Sequence, residues 1–192
     1  MKKFFCMAAL ALATLSMSAQ EDSKFTLKAG LGLSSVVGSD VDGAKSKLAY
    51  KVGATYDFNV GENFAIIPGV ELVAKGTELE GIDGNIDMYY LQIPILAAYK
   101  FNVSDNMKLS VKAGPYVSYG LFGSDIELYG YGSVNAFDDE MFDRFDAGIA
   151  AGLSLDIDKF TVGVEYSRGL MKMAEETKCF NQAYGIVVGY KF

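Results

Sequence analysis

From residue 24 to its end the chain alternates apolar and polar residues with period two, and the alternation returns in eight segments: 24-35, 48-58, 64-75, 88-101, 107-120, 144-157, 159-168 and 182-192. Successive side chains of a strand point to opposite faces, so this period predicts strands with one face in an apolar medium. The connections alternate as well. Segments two and three, four and five, and six and seven are separated only by 59-63, 102-106 and Asp158, whereas 36-47, 76-87, 121-143 and 169-181 are long. Short turns at one end and long loops at the other predict an all-β, eight-stranded antiparallel up-and-down barrel.

Alternation by itself leaves open which face is inside, since a soluble barrel buries its apolar set and a membrane barrel shows it to lipid. The apolar parity runs through Phe25 to Leu33, Leu48 to Phe58, Phe64 to Ala74, Tyr89 to Phe101, Met107 to Tyr119, Phe145 to Ile157, Phe160 to Tyr166 and Tyr184 to Phe192, with no charge at any of its positions. The opposite parity is small or charged, as in Lys28-Gly30-Gly32-Ser34 and Asp146-Gly148-Ala150-Gly152. An eight-stranded lumen is just wide enough to be filled by side chains, and a barrel built to hold an apolar ligand would not fill it with lysines and glutamates. Aromatics also band at two levels. Phe25, Tyr56, Phe58, Phe64, Tyr99, Phe101, Phe160, Tyr190 and Phe192 mark the short-turn end, and Tyr50, Tyr89, Tyr119, Tyr166 and Tyr184 lie toward the long loops. Such belts are expected where amphipathic rings meet lipid head groups.

Composition removes most other classes. The 192 residues suit one domain, with 51% hydrophobic and 13% aromatic residues. There is no histidine, and Cys6 and Cys179 are the only cysteines, so histidine-based acid-base chemistry, His-containing triads and a disulfide scaffold are excluded. A net charge of −7 argues against nucleic acid, which needs a basic stripe. No cofactor and no catalysis are expected, since no ordered pair of carboxylates is visible either. The three prolines, Pro68, Pro94 and Pro115, fall inside segments, where each removes a ladder donor, and they predict local bulges.

Residues 1-19 read as a secretory signal peptide, with Lys2 and Lys3 as the basic start, Phe4 to Leu15 as the apolar stretch and Ser16 to Ala19 as the small-residue end. Cleavage is expected after Ala19, with Ser18 the alternative because Met17 is large for its position. The barrel domain is then 20-192. Cys6 leaves with the leader, and Cys179 is expected to be a passive packed residue.

Three words within the strands resemble the PorT-like outer-membrane β-barrel proteins: Tyr90-Leu91-Gln92-Ile93-Pro94-Ile95-Leu96 followed by Tyr99-Lys100-Phe101, Ala113-Gly114-Pro115-Tyr116-Val117, and the closing Gly189-Tyr190-Lys191-Phe192. The resemblance implies a small barrel of the bacterial outer membrane. It also implies that Tyr190 and Phe192 belong to a terminal signal read by the barrel-assembly machinery.

The candidate sites are modest. Lys28, Lys51, Glu71, Lys75, Lys112, Asp146 and Glu165 share the lumen parity, and a plug of paired ions is the expected reading, ahead of an ion pathway. Asp138, Asp139, Glu140 and Asp143 form a weak hard-cation candidate, although their spacing does not match an EF-hand loop. Acidic, aromatic loops could instead meet a protein or glycan. Gly148 and Gly152 have GxxxG spacing, but on a strand this is not a helix-packing motif. The expected function is a structural or surface-interaction protein of the outer membrane with a plugged lumen, in contact with outer-membrane lipid. A component of an envelope transport or secretion assembly is the alternative, and a soluble periplasmic lipid-binding barrel comes third.

Overall fold

The structure is a computed structural model that describes residues 25–38, 44–79, 85–123, 125–128, 132–135, 143–171 and 179–192. The expected leader 1-19 lies outside these residues, as do Asp138, Asp139 and Glu140. Eleven strands follow in order: β1 (Phe25–Gly38), β2 (Ala44–Tyr56), β3 (Phe58–Asn59), β4 (Phe64–Leu79), β5 (Asn85–Ser104), β6 (Met107–Gly123), β7 (Asp125–Leu128), β8 (Gly132–Asn135), β9 (Phe145–Ile157), β10 (Phe160–Gly169) and β11 (Cys179–Lys191).

β2 and β3 form one stave interrupted at Asp57, so the wall has the eight staves that the alternation predicts. All pair antiparallel with their neighbours in the chain, and β1 pairs with β11 from Thr26↔Lys191 to Gly38↔Cys179, which closes the barrel. Closure leaves no open edge in the wall, as a hydrocarbon surround requires. The outward parity is the apolar one. Leu31, Val52, Leu72, Ile95, Val117, Ile149, Val164 and Ile186 are all exposed on the outer surface. A soluble barrel holding lipid inside is thereby overturned, since the apolar set faces out and charges face in.

Several expectations are corrected in detail. Bulges do not occur at the prolines. Pro68 pairs with Ile95 and Pro94 with Tyr116 in unshifted register; the ladder skips nearby pairs, because a proline removes a donor without adding a residue. The register shifts occur instead between Ser46 and Tyr50, Tyr89 and Tyr90, and Asn102 and Ser104, toward strand ends. The second of these turns both Leu121 and Phe122 outward, where strict alternation would put Phe122 inside, and Phe122 stacks on Tyr89 at 4.6 Å. The first leaves backbone groups of Gly76 without a β2 partner; Ser34 Oγ of β1 replaces it, accepting from Gly76 N at 2.9 Å and donating to Gly76 O at 2.8 Å.

The strands also outrun the expected segments. β4 and β5 extend through much of the expected loop 76-87, and β7 pairs with β8 as a separate hairpin within the expected loop 121-143. Ala74 lies on the outward parity yet is buried, because its two cross-strand neighbours Tyr50 and Tyr89 meet above it with hydroxyls 2.8 Å apart. At the short-turn end the aromatic belt is continuous in places, with Phe25, Phe192, Tyr190 and Phe160 in successive ring contacts of 5.0 to 6.0 Å. The two-residue turn Asp158–Lys159 places Asp158 at φ 51°, a region that aspartate tolerates better than most residues.

Candidate functional site: the charged lumen

The inward parity is more mixed than small or charged. Ile67, Val73, Leu96 and Val187 are buried there, and Ala65, Ile67, Leu96 and Ala98 form an apolar cluster on β4 and β5. Around this cluster the ionic side chains form three layers.

The central layer joins five of the seven expected residues. Register places them together: Lys28 pairs with Gly53 and Gly53 with Glu71 on one side, while Gly152 lies between Glu165 and Lys112 on the other. Glycines in those intervening positions leave the space the long side chains fill. Lys28 Nζ lies 2.6 Å from Glu71 Oε1 and 3.0 Å from Glu165 Oε1. Lys51 Nζ contacts Glu165 Oε2 and lies 3.5 Å from Glu71 Oε2, and Lys112 Nζ lies 3.8 Å from Glu165 Oε1. Glu165 is thus the shared partner of three lysines from three other staves. Gln92 beside this layer is 4% exposed, and its Oε1 has no partner among the described residues.

The outer layer holds the other two. Lys75 Nζ is 3.9 Å from Asp146 Oδ2, and it sits over the rings of Tyr90 and Tyr116 at 5.3 and 5.0 Å. Tyr116 Oη donates to Asp146 Oδ2 at 3.1 Å. Gly148 makes room for this ring: a Cβ there would stand 2.7 Å from Tyr116 Oη and 2.1 Å from Arg168 O. A buried lysine is tolerable here because a carboxylate and two aromatic faces share its charge.

The third layer, at the short-turn end, was not singled out from the sequence. Lys100 Nζ donates to Asp57 Oδ2 at 2.7 Å, Lys191 Nζ to Asp156 Oδ2 at 2.5 Å, and Thr161 Oγ1 to Asp156 Oδ1 at 2.7 Å. All lie on the inward parity or at the β2/β3 break, within the alternating segments, so the parity that marks the other lumen charges marks them too. The layer floors a polar cavity of about 420 Å³ at the mouth, lined also by Glu62, Asp105, Lys108 and Asp158.

Neither remaining candidate is assembled into a site. Asp143 is exposed, but its three expected companions lie outside the described residues, and the described residues hold no metal-binding group of three or more. Cys179 is a free, half-buried thiol at the start of β11.

A closed antiparallel barrel with an apolar exterior, aromatic belts and ions inside is a transmembrane barrel of the bacterial outer membrane. Residues 18–175 match the outer membrane protein beta-barrel domain family, and the chain belongs to it. No sequence relative is found among the curated proteins. Among solved structures the chain is similar to Neisserial surface protein A, at a TM-score of 0.59 and 13% identity over 88% of this chain and 97% of that one. It is also similar to the outer membrane enzyme PagL, at 0.52 and 16% over 84% and 99%. The attachment invasion locus protein Ail of Yersinia pestis follows at 0.49 and 15% over 88% and 98%. At these identities the likeness shows the fold alone, and this fold carries an enzyme in one case and a surface protein in another.

Proposed function

We propose that this protein is a closed, non-catalytic wall element of the outer membrane whose exposed loop end carries its interactions. The observation that supports this best is the stack of ion pairs across the lumen, which crosses the bore at three depths with side chains from opposite staves. A filled eight-stranded lumen leaves no aqueous path. The strands and the β7–β8 hairpin that continue past the membrane belt give the loop end a built platform for a protein or glycan partner. Chemistry of the histidine-dependent kind has no residue to carry it. Within the family, the PorT-like words stand on neighbouring strands β5 and β6 and on the closing strand β11, which supports keeping that resemblance as part of the reading.

In planar bilayers the purified barrel is expected to show no stable, large open state, and a persistent open conductance would overturn the closed lumen. Pull-down from gently solubilised membranes, with the wild-type chain and a chain shortened in 124-142, tests the loop surface. A partner lost on shortening supports a surface-interaction role. A stable multi-component complex that survives the shortening would favour the transport or secretion assembly.

The assembly role of the C-terminus is part of the same proposal. Phe192 N donates to Phe25 O at 2.9 Å, and its ring touches Phe25 and Tyr190, so the last residue also clasps the closing seam. Deleting Phe192 is expected to reduce the heat-modifiable, membrane-inserted form on gels, and normal insertion of the shortened chain would remove the assembly reading.

A further inference from the structure

The outward surface of β6, β9, β10 and β11 carries a groove of about 560 Å³. Its floor is the cross-strand pair Ala113 and Ala151, and Leu153, Tyr166, Tyr184 and Ile186 stand around it. Ala113 also pairs with Ala97 on β5, so three small outward residues lie side by side across β5, β6 and β9, with the larger Tyr166 beside Ala151 on β10. The result is a recess in a surface that otherwise projects into lipid.

Two residues beyond Tyr166, on the same side of β10, stands Arg168. It is a basic side chain on the outward parity, it is exposed, and it has no ion pair or hydrogen bond among the described residues. Its cross-strand neighbours are Ile149 and Gln182, and Gln182 Oε1 accepts from Tyr166 Oη at 3.3 Å, which leaves the Gln182 amide nitrogen as a second donor beside the guanidinium. An unpaired guanidinium is not tolerated in hydrocarbon, so its depth is informative. Arg168 is eight residues from Phe160 of the short-turn belt, which is about 27 Å along the strand and roughly 20 Å in height at a tilt of ~40°. That puts it at the opposite, external head-group level, at the top of the groove.

We propose that this face is a site for a phosphorylated glycolipid of the outer leaflet, with one acyl chain in the Ala113/Ala151 groove and a phosphate on Arg168. The guanidinium fork suits a phosphate bidentately, and the apolar recess directly beneath it sets the distance between head group and tail. The external position of Arg168 favours the glycolipid over an inner-leaflet phospholipid. The site depends on the membrane placement of the barrel but not on whether the lumen is closed or which partner the loops meet.

The test is native mass spectrometry of the mature barrel in neutral detergent, titrated with bis-phosphorylated lipid A, with its dephosphorylated form and with phosphatidylglycerol. Wild type is expected to retain bis-phosphorylated lipid A preferentially. Arg168→Ala and Ala151→Phe should each weaken retention about tenfold while keeping wild-type heat-modifiability, Arg168→Lys should fall between, and Lys159→Ala at the opposite rim should change nothing. Wild-type retention by Arg168→Ala would overturn the site. Equal affinity for phosphatidylglycerol would overturn its assignment to the outer leaflet. A dimer that Ala151→Phe dissociates would show that a second copy, and not lipid, covers the groove.

Discussion

Replacing Glu165 by alanine is expected to destabilise the folded barrel by about 3–5 kcal/mol, the range for removing one partner from a buried ionic group. Glu165 contacts Lys28, Lys51 and Lys112, and without it Lys28 and Lys51 share only Glu71 while Lys112 loses its ion pair. None can leave, because each projects inward from a stave fixed by two ladders. Glu165→Gln keeps the volume and an acceptor oxygen but removes the charge, so a smaller loss is expected. Pairing it with Lys112→Met restores the charge balance and should recover part of that loss, a coupling that a double-mutant cycle isolates. Urea unfolding in lipid vesicles measures each value. A loss below about 1 kcal/mol for Glu165→Ala would place the lysines in a solvated lumen, where charges are screened, and would count against the closed bore.

Val188→Arg is expected to cost about 2–4 kcal/mol, because it places a guanidinium on the lipid face near mid-depth. Val188 is 55% exposed on the outward surface and pairs with Ala29 on β1 and Val162 on β10, so the new side chain would have apolar neighbours on both sides. It lies between the two aromatic belts along β11, two residues from Tyr190 and four from Tyr184, which makes snorkelling to water harder than at a strand end. The same unfolding assay reads the effect, and equal insertion and stability of variant and wild type would mean that this side of β11 does not face hydrocarbon. The two substitutions act by opposite routes. One leaves charges unpaired inside; the other puts a charge where the membrane has no partner for it.

Much of the barrel was legible in the chain because a strand repeats every two residues and a membrane punishes any departure from that period. The stave count, the short and long connections, the outward apolar set and the seven lumen charges all follow from parity. What parity misreads is local. It places Phe122 inside and Ala74 against lipid, since it does not contain the register shift opposite Tyr89 or the tyrosine pair above Ala74. It assigns bulges to the prolines, since a missing donor and an inserted residue look alike in a sequence. Asp57, Lys100, Asp156 and Lys191 share the inward parity as well, but parity does not show that they meet as a third layer.

The sequence by itself therefore determined that this chain is a membrane-spanning barrel with ions inside, because both properties are sums over many alternating positions and survive errors at a few. Only the tertiary structure decided which charges meet. Lys28, Glu71 and Glu165 are far apart in the chain, and their contact depends on the stagger between staves, which closure of β1 on β11 fixes. The same holds for Arg168 above the Ala113/Ala151 recess. Each residue is visible in the sequence, but their arrangement belongs to four staves at one register.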